Sequence, residues 1–345
     1  MIPGRGRTPA KLRPFLPLLL FALACVGPSH VVWAQDQPVT SPQALTVATQ
    51  LVSIDVSVLD GQGNFVAGLT DRNFRILDNG VESHIVKFTP VEAPAQVLVM
   101  IETSPAVYLI HDQHLIAAYA LVGGLAADDQ VALVSYDQEP HEVLKFTTDK
   151  AALLSALNRV QFTIGMGDLN FYDSISRTLD SLSPAGGKRA LVILGTGLDS
   201  SPPGQWDALV QKLRGRDAVI FCVALGGVLR GGAATPSKRS KKAGPPESSA
   251  DQSFAKADSA LRSLAAITGG RTYFPQSDRD FVPIYHEIAS ALRHQYVIGV
   301  NPVSDGQFHE LTVVPLDANG RPMNPSGKKP SVRVFAREGY LAPGP

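Results

Sequence analysis

Glu102, Thr103 and Ser104 close an apolar run, in the stretch QVLVMIETSPAVYLI at residues 96–110. A strand from Gln96 to Ile101 runs directly into one carboxylate and two hydroxyls, and then into a helix. Such a corner suits a divalent cation, which takes oxygen ligands, or a phosphate, which takes the free amides of a helix start. Further carboxylates, Asp168, Asp173 and Asp199, lie in two later stretches, GMGDLNFYD (165–173) and LGTGLDSS (194–201). If two of these met Glu102 in a cleft, general acid–base hydrolysis would be open to the chain. His111 and His114 stand three apart around Asp112, close enough to share a metal, but no third ligand accompanies them. They read as a solvated helix face, and the remaining histidines are scattered. Cys222 sits mid-strand in VIFCVAL and reads as a small buried hydrophobe, not a nucleophile. Gly186-Gly187-Lys188 precedes a strand, whereas a phosphate loop follows one.

The elements that must position these residues change character at residue 96. Before it, SIDVSVLD (53–60) alternates as a half-buried strand does. FRILDNGVESHIVKF (74–88) then gives two short strands around Asp78-Asn79-Gly80, a hairpin signal because Asn and Gly accept positive φ. Residues 47–92 therefore form a small β unit. From 96 onward, strands at 96–101, 130–137, 188–195 and 217–227 alternate with helices at 106–125, 149–160, 171–182 and 203–215. The strands are apolar almost throughout, as strands covered on both faces are. The pattern predicts a doubly wound, mostly parallel α/β sheet over 95–300. Helices at 254–268 and 279–293 and strands at 271–274 and 294–300 complete it. Residues 228–253, with the basic run KRSKK (238–242), lack periodicity and read as a disordered surface loop. Strands at 310–316 and 331–336 make residues 301–345 a β appendage.

The first 34 residues read as a signal peptide. Arg5, Arg7, Lys11 and Arg13 precede the apolar FLPLLLFALACV (15–26), and small residues near Ala34 offer a cut. Residues 35–46 form a loose leader. Export to the periplasm or outside the cell is expected, with lipid anchoring at Cys25 a lesser alternative. Cleavage would remove four basic residues and leave 27 against 31 acidic ones. That slightly acidic balance gives no field to attract nucleic acid. Cys222 would be the one cysteine left, so no internal disulfide is available. No later apolar run is long enough for a transmembrane helix.

Three loops gathered at the carboxyl ends of the strands are where an open α/β sheet binds ligands. With the ETS corner, the start of a helix at Asn170-Phe171-Tyr172-Asp173 and the strand end LVILGTG, residues 95–300 resemble a von Willebrand factor type A domain. With VSVLDGQGNFVAGLTDRNFRILDNG (56–80), QYVIGVNP (295–302), DGQFHELTV (305–313) and VRVFAREGY (332–340), the chain from about 45 to 342 resembles the VWFA-related acidobacterial family. That resemblance implies a Mg²⁺-dependent adhesion site, and the sequence departs from it. The first motif, Asp-x-Ser-x-Ser, is here Glu102-Thr103-Ser104-Pro105-Ala106. The Thr of the second is Leu169, and the Asp of the third is Thr196. Mg²⁺ demands near-ideal octahedral oxygen geometry, so no cofactor is expected. Glu102, Ser104, Asp168 and Asp199 are the weak candidates for any metal that remains.

The resemblance implies a non-enzymatic, exported protein-binding module with a degenerate metal site. Glu102, Thr103, Ser104, Leu169, Thr196 and Asp199 would lie on its partner-binding face, and Leu169, Pro105 and Ala106 would make that face more apolar. The alternatives are a hydrolase using Glu102 with Asp168, Asp173 or Asp199, and a permanent component of an envelope assembly. No partner is identified and no oligomeric state follows.

Overall fold

The computed structural model describes residues 51–164, 167–182, 188–229, 249–324 and 331–344. The signal segment, the leader, Cys25 and residues 238–242 of the basic run lie outside these. Six strands form the central sheet, in the order Thr272–Tyr273, Val219–Ala224, Lys188–Gly195, Ala95–Glu102, Gln130–Tyr136, Pro140–Thr147. The first five are parallel, and Pro140–Thr147 runs antiparallel to Gln130–Tyr136.

Because successive side chains of a strand point to opposite faces, each apolar run feeds two cores. Val97, Val99 and Ile101 pack with Ala117 and Leu121 of helix His111–Gly124 and Ile288 of helix Phe281–Arg293. Leu98 and Met100 pack with Ile175 of helix Phe171–Leu179 and with Leu261 and Leu264 of helix Ser249–Thr268. This is the doubly wound sheet that the sequence pattern predicts. Cys222 is fully buried within it, and burial pushes its thiol up to about 12.

Three elements differ from expectation. Pro140–Thr147 was read as neither strand nor helix. Its burial does not alternate, and it opens on a proline, which sheets accept at a strand start or an edge. His294–Val300, expected at the end of the central sheet, pairs antiparallel with Val52–Asp60 and Ile85–Glu92. Its deepest side chains, Tyr296, Ile298 and Val300, fall on one face, as in a half-buried antiparallel strand rather than one covered on both sides. Helix Ser249–Thr268 begins inside the segment read as a loop.

Strands from both ends of the chain build a second module. Val332–Phe335, Val52–Asp60, His294–Val300 and Ile85–Glu92 form one sheet. Gly339–Leu341, Phe308–Pro315, Phe74–Asp78 and Val81–Ser83 form another. They share a core containing Ile54, Val56, Ile76, Tyr296, Ile298 and Leu311. The expected hairpin is present, with Asn79 and Gly80 at φ 46° and 81°. Among the described residues no helix is long and apolar enough to cross a membrane.

Glu287, only 4% exposed on helix Phe281–Arg293, fastens this module to the central domain. It accepts from Tyr273 Oη at 3.0 Å, pairs with Arg333 of strand Val332–Phe335 and lies 3.6 Å from Arg271. Removing it leaves the buried Tyr273 hydroxyl without its acceptor, while Arg333 and Arg271 keep part of their hydration. Glu287→Ala should therefore lower unfolding stability by about 1–3 kcal/mol, read as a shift of the urea midpoint. A loss within about 0.5 kcal/mol, the range of ordinary surface changes, would show that the cluster fastens nothing.

Candidate functional site

The strand order reverses between Ala95–Glu102 and Lys188–Gly195, because Ala95–Glu102 has its sequence successor on one side and a later strand on the other. A crevice forms outside the carboxyl ends of strands at such a switch point. Glu102 and Thr196 meet there.

Glu102 has no exposed surface. One carboxylate oxygen accepts from Ser104 Oγ at 2.6 Å. The other accepts from Thr196 N at 2.6 Å, Thr196 Oγ1 at 2.9 Å and Tyr136 Oη at 3.3 Å. Burial raises the carboxyl above its ordinary range, and the bonds from Ser104 and Thr196 act against it. Burial and the adjacent Glu102 charge hold the Tyr136 hydroxyl well above its usual value. Thr103 is tied in by its own amide, which donates to the Tyr136 carbonyl at 2.8 Å. Ser104 caps the following 3₁₀ turn, Pro105–Ile110, by accepting from Ala106 N.

Residues 167–173 and 194–201 come to the same edge, as the sequence suggests, and are zipped together. Leu169 N donates to Ser200 Oγ at 2.6 Å, and Ser200 N to the Leu169 carbonyl at 2.8 Å. Asp199 Oδ1 accepts from Tyr172 N at 3.2 Å, at the start of helix Phe171–Leu179, where a negative charge is favoured. Asp199 also accepts from Ser201 N and Ser201 Oγ.

The structure thus places Glu102, Thr103, Ser104, Leu169 and Thr196 below the surface. They shape the strand-end face from beneath; a partner would not touch their side chains. Asp199 is half-buried and Asp168 is exposed in its loop. Asp173 pairs with Arg177 at 3.6 Å. Glu102, Asp173 and Asp199 are each held by different neighbours.

Sequence reasoning missed Tyr136 and Gly195, and it misplaced His114. A Cβ on Gly195 would strike Tyr136 Oη and come within 2.7 Å of Glu102 Oε2. His114 is fully buried, not solvated. It precedes Ala117, Ala118 and Leu121 by three, four and seven, so it stands on the core stripe of its helix. That spacing was legible. Neither ring nitrogen meets a partner in hydrogen-bonding geometry. Burial pulls the imidazole down to about 3, the Leu194 carbonyl offsetting this only in part. His111 stays exposed, its ring 5.8 Å from both Tyr108 and Phe162.

On the segments joined to this buried corner by chain or by hydrogen bond, large apolar side chains are exposed. Leu109 is 85% exposed, Ile164 74% and Tyr108 42%. Thr163 N donates to the Thr103 carbonyl at 2.8 Å, bringing the 160–164 loop over the 3₁₀ turn.

A doubly wound sheet with one antiparallel edge strand, bearing a carboxylate-and-hydroxyl corner at its switch point, decides the architecture. The fold is von Willebrand factor A-like. No family model matches the chain, and no curated protein matches it in sequence. Among solved structures it is similar to a von Willebrand factor type A protein from Catenulispora acidiphila, at 12% identity and a TM-score of 0.43, over 85% of this chain and 75% of that one. It is also similar to the conserved hypothetical protein BatB from Bacteroides thetaiotaomicron, at 14% and 0.41, over 58% and 98%. A third is the SpRpn10 VWA domain, at 14% and 0.38, over 55% and 93%. Likenesses of this strength add nothing to what the sheet order says.

The metal site that a von Willebrand factor A-like fold implies does not fit these residues. Both oxygens of Glu102 are engaged by protein donors, with Tyr136 Oη and Thr196 on one and Ser104 on the other. Both oxygens of Asp199 accept from its own loop or the helix start. A cation would have to displace these bonds and still lack the oxygens that Ala106 and Leu169 do not supply.

Two outcomes follow. Gly195→Ala should cost about 1–3 kcal/mol, the usual penalty of overpacking, and Tyr136→Phe in the same chain should recover part of it by removing the struck oxygen. If Gly195→Ala is as stable as the parent in urea, the corner is looser than described. For His114, the unfolded imidazole takes its proton near 6.5 and the folded one only near about 3. Its contribution is therefore intact above 6.5 and is lost as pH falls through that window. His114→Leu should flatten the fall in stability between pH 6.5 and 4 relative to the parent; parallel curves would exclude such burial.

Proposed function

We propose that the chain is an exported, non-enzymatic protein-binding module that holds its partner on the strand-end face without a metal ion. The observation that carries this is the pairing of a carboxylate already satisfied by four protein donors with large apolar side chains exposed beside it, Leu109 and Ile164. Large aliphatic side chains exposed at the strand-end edge of an open α/β sheet are candidates for an interaction surface. Contact would rest on burial and shape, and the partner is a protein bearing an apolar segment. The basic and apolar order of residues 1–34 supports export, and the periplasm or the cell exterior is the proposed location.

The test has two arms on the purified protein. Isothermal titration of Mg²⁺ and Mn²⁺ should give millimolar or weaker affinity, unchanged in Glu102→Gln. Crosslinking in cells of the source organism should trap a partner with the parent and much less of it with Leu109→Asp/Ile164→Asp. Micromolar metal binding that disappears in Glu102→Gln would overturn the metal-free reading. Equal crosslinking by the parent and the double variant would move the partner to another face.

A further inference from the structure

A cleft opens at the other end of the central strands, where their amino-terminal edge meets the sheet of Val52–Asp60 and His294–Val300. Its volume is about 220 Å³. That is room for roughly seven waters, less than a drug-sized pocket provides. Val91, Ala93, Val219, Leu292 and Val297 give it an apolar lining.

Lys188 reaches into this cleft from the first position of strand Lys188–Gly195. Its side chain is 11% exposed, its ammonium is buried, and that nitrogen has no hydrogen-bond partner. Asp55 Oδ2 lies 3.4 Å away as an ion-pair partner without hydrogen-bond alignment. The neighbouring cations are committed elsewhere: Arg189 lies 2.7 Å from Asp217, and Arg293 2.9 Å from Asp128. A buried ammonium whose ion-pair partner lies out of hydrogen-bond alignment is costly, and an oxygen acceptor in the cleft would relieve it.

We propose that this cleft binds a small organic monocarboxylate, whose oxygens accept from Lys188 Nζ and whose short aliphatic chain lies against Val91, Val219, Leu292 and Val297. The apolar wall selects an alkyl group over a compact inorganic anion. Lys188, already facing Asp55 on one side, selects one negative charge over two. This site is independent of the strand-end face, since Lys188 and Gly195 are opposite ends of one strand.

Burial brings the Lys188 ammonium down to about 8, with the charges of Asp55 and Asp217 opposing that shift. The other charged groups facing the cleft are Arg189 and Arg293, and Arg337 faces the adjoining cavity. The arginines stay charged throughout. A bound carboxylate should therefore hold best below about 8 and weaken above it as Lys188 loses its proton.

Isothermal titration of hexanoate into the purified protein is the test. The expected result is saturable one-to-one binding, with hexanamide and hexanol at least about tenfold weaker, since charge-assisted hydrogen bonds are the strong ones. Lys188→Met should lose hexanoate by a similar factor. Asp55→Asn should bind it as well as the parent or better, because the competing carboxylate is gone. Binding by the parent should fall between pH 7.5 and 9. Absence of saturation, or hexanamide binding as well as hexanoate, would overturn the proposal without reliance on any variant's folding. So would full retention of hexanoate binding in folded Lys188→Met.

Discussion

A buried carboxylate must find donors or lose its charge, and Glu102 finds four of them at the one point where the central sheet reverses order. Those donors come from three segments: the corner itself, the end of Gln130–Tyr136 and the residue after Lys188–Gly195. The carboxylate therefore holds three strand ends in register as a cation would. The extra methylene of Glu over Asp lets the oxygens reach Thr196 N directly, and Gly195 leaves the space they occupy. The corner is a rigid foundation, and the residues on top of it are free to vary.

That exchange separates structure from recognition. In a metal-dependent arrangement, the same oxygens would both stabilise the loops and face the ligand. Here Glu102, Thr103, Ser104 and Thr196 are spent inside, and large apolar side chains, Leu109, Ile164 and Tyr108, are among those left at the surface. Zipping of residues 169–172 to the 194–201 loop through Ser200 and Asp199 makes the platform stiff without an ion. A stiff apolar platform favours binding because little side-chain and loop entropy is lost when it is covered.

Much of this was legible in the residues. The apolar runs gave the parallel strands, the Asn79-Gly80 pair gave its hairpin, and the three loops were expected at one edge. The changes at Glu102, Leu169 and Thr196 pointed to an altered metal site before any geometry was known. What resisted reading has physical causes. Tyr136 closes the corner through a contact 34 residues away from Glu102 in sequence, and no local pattern announces such a pair. Pro140–Thr147 is an edge strand, whose exposure blurs the period-2 signal. His114 carried a readable spacing that its polarity disguised. Lys188 was legible as the start of a strand, and only the packing of a second sheet against that strand start turns it into a buried cation.

The second module joins residues from opposite ends of the chain: Ser57 Oγ donates to the His294 carbonyl, 237 positions away. The closure of so long a loop must precede any gain from the pairing, and contacts of such separation slow folding. During synthesis, Val52–Asp60 is made first and must remain an unpaired edge until His294–Val300 emerges. Through that interval Ile54, Val56 and Val58, fully buried in the finished fold, are exposed and prone to associate with other chains. A molecule built this way depends on something holding its early strand, or on speed, until its late strand arrives.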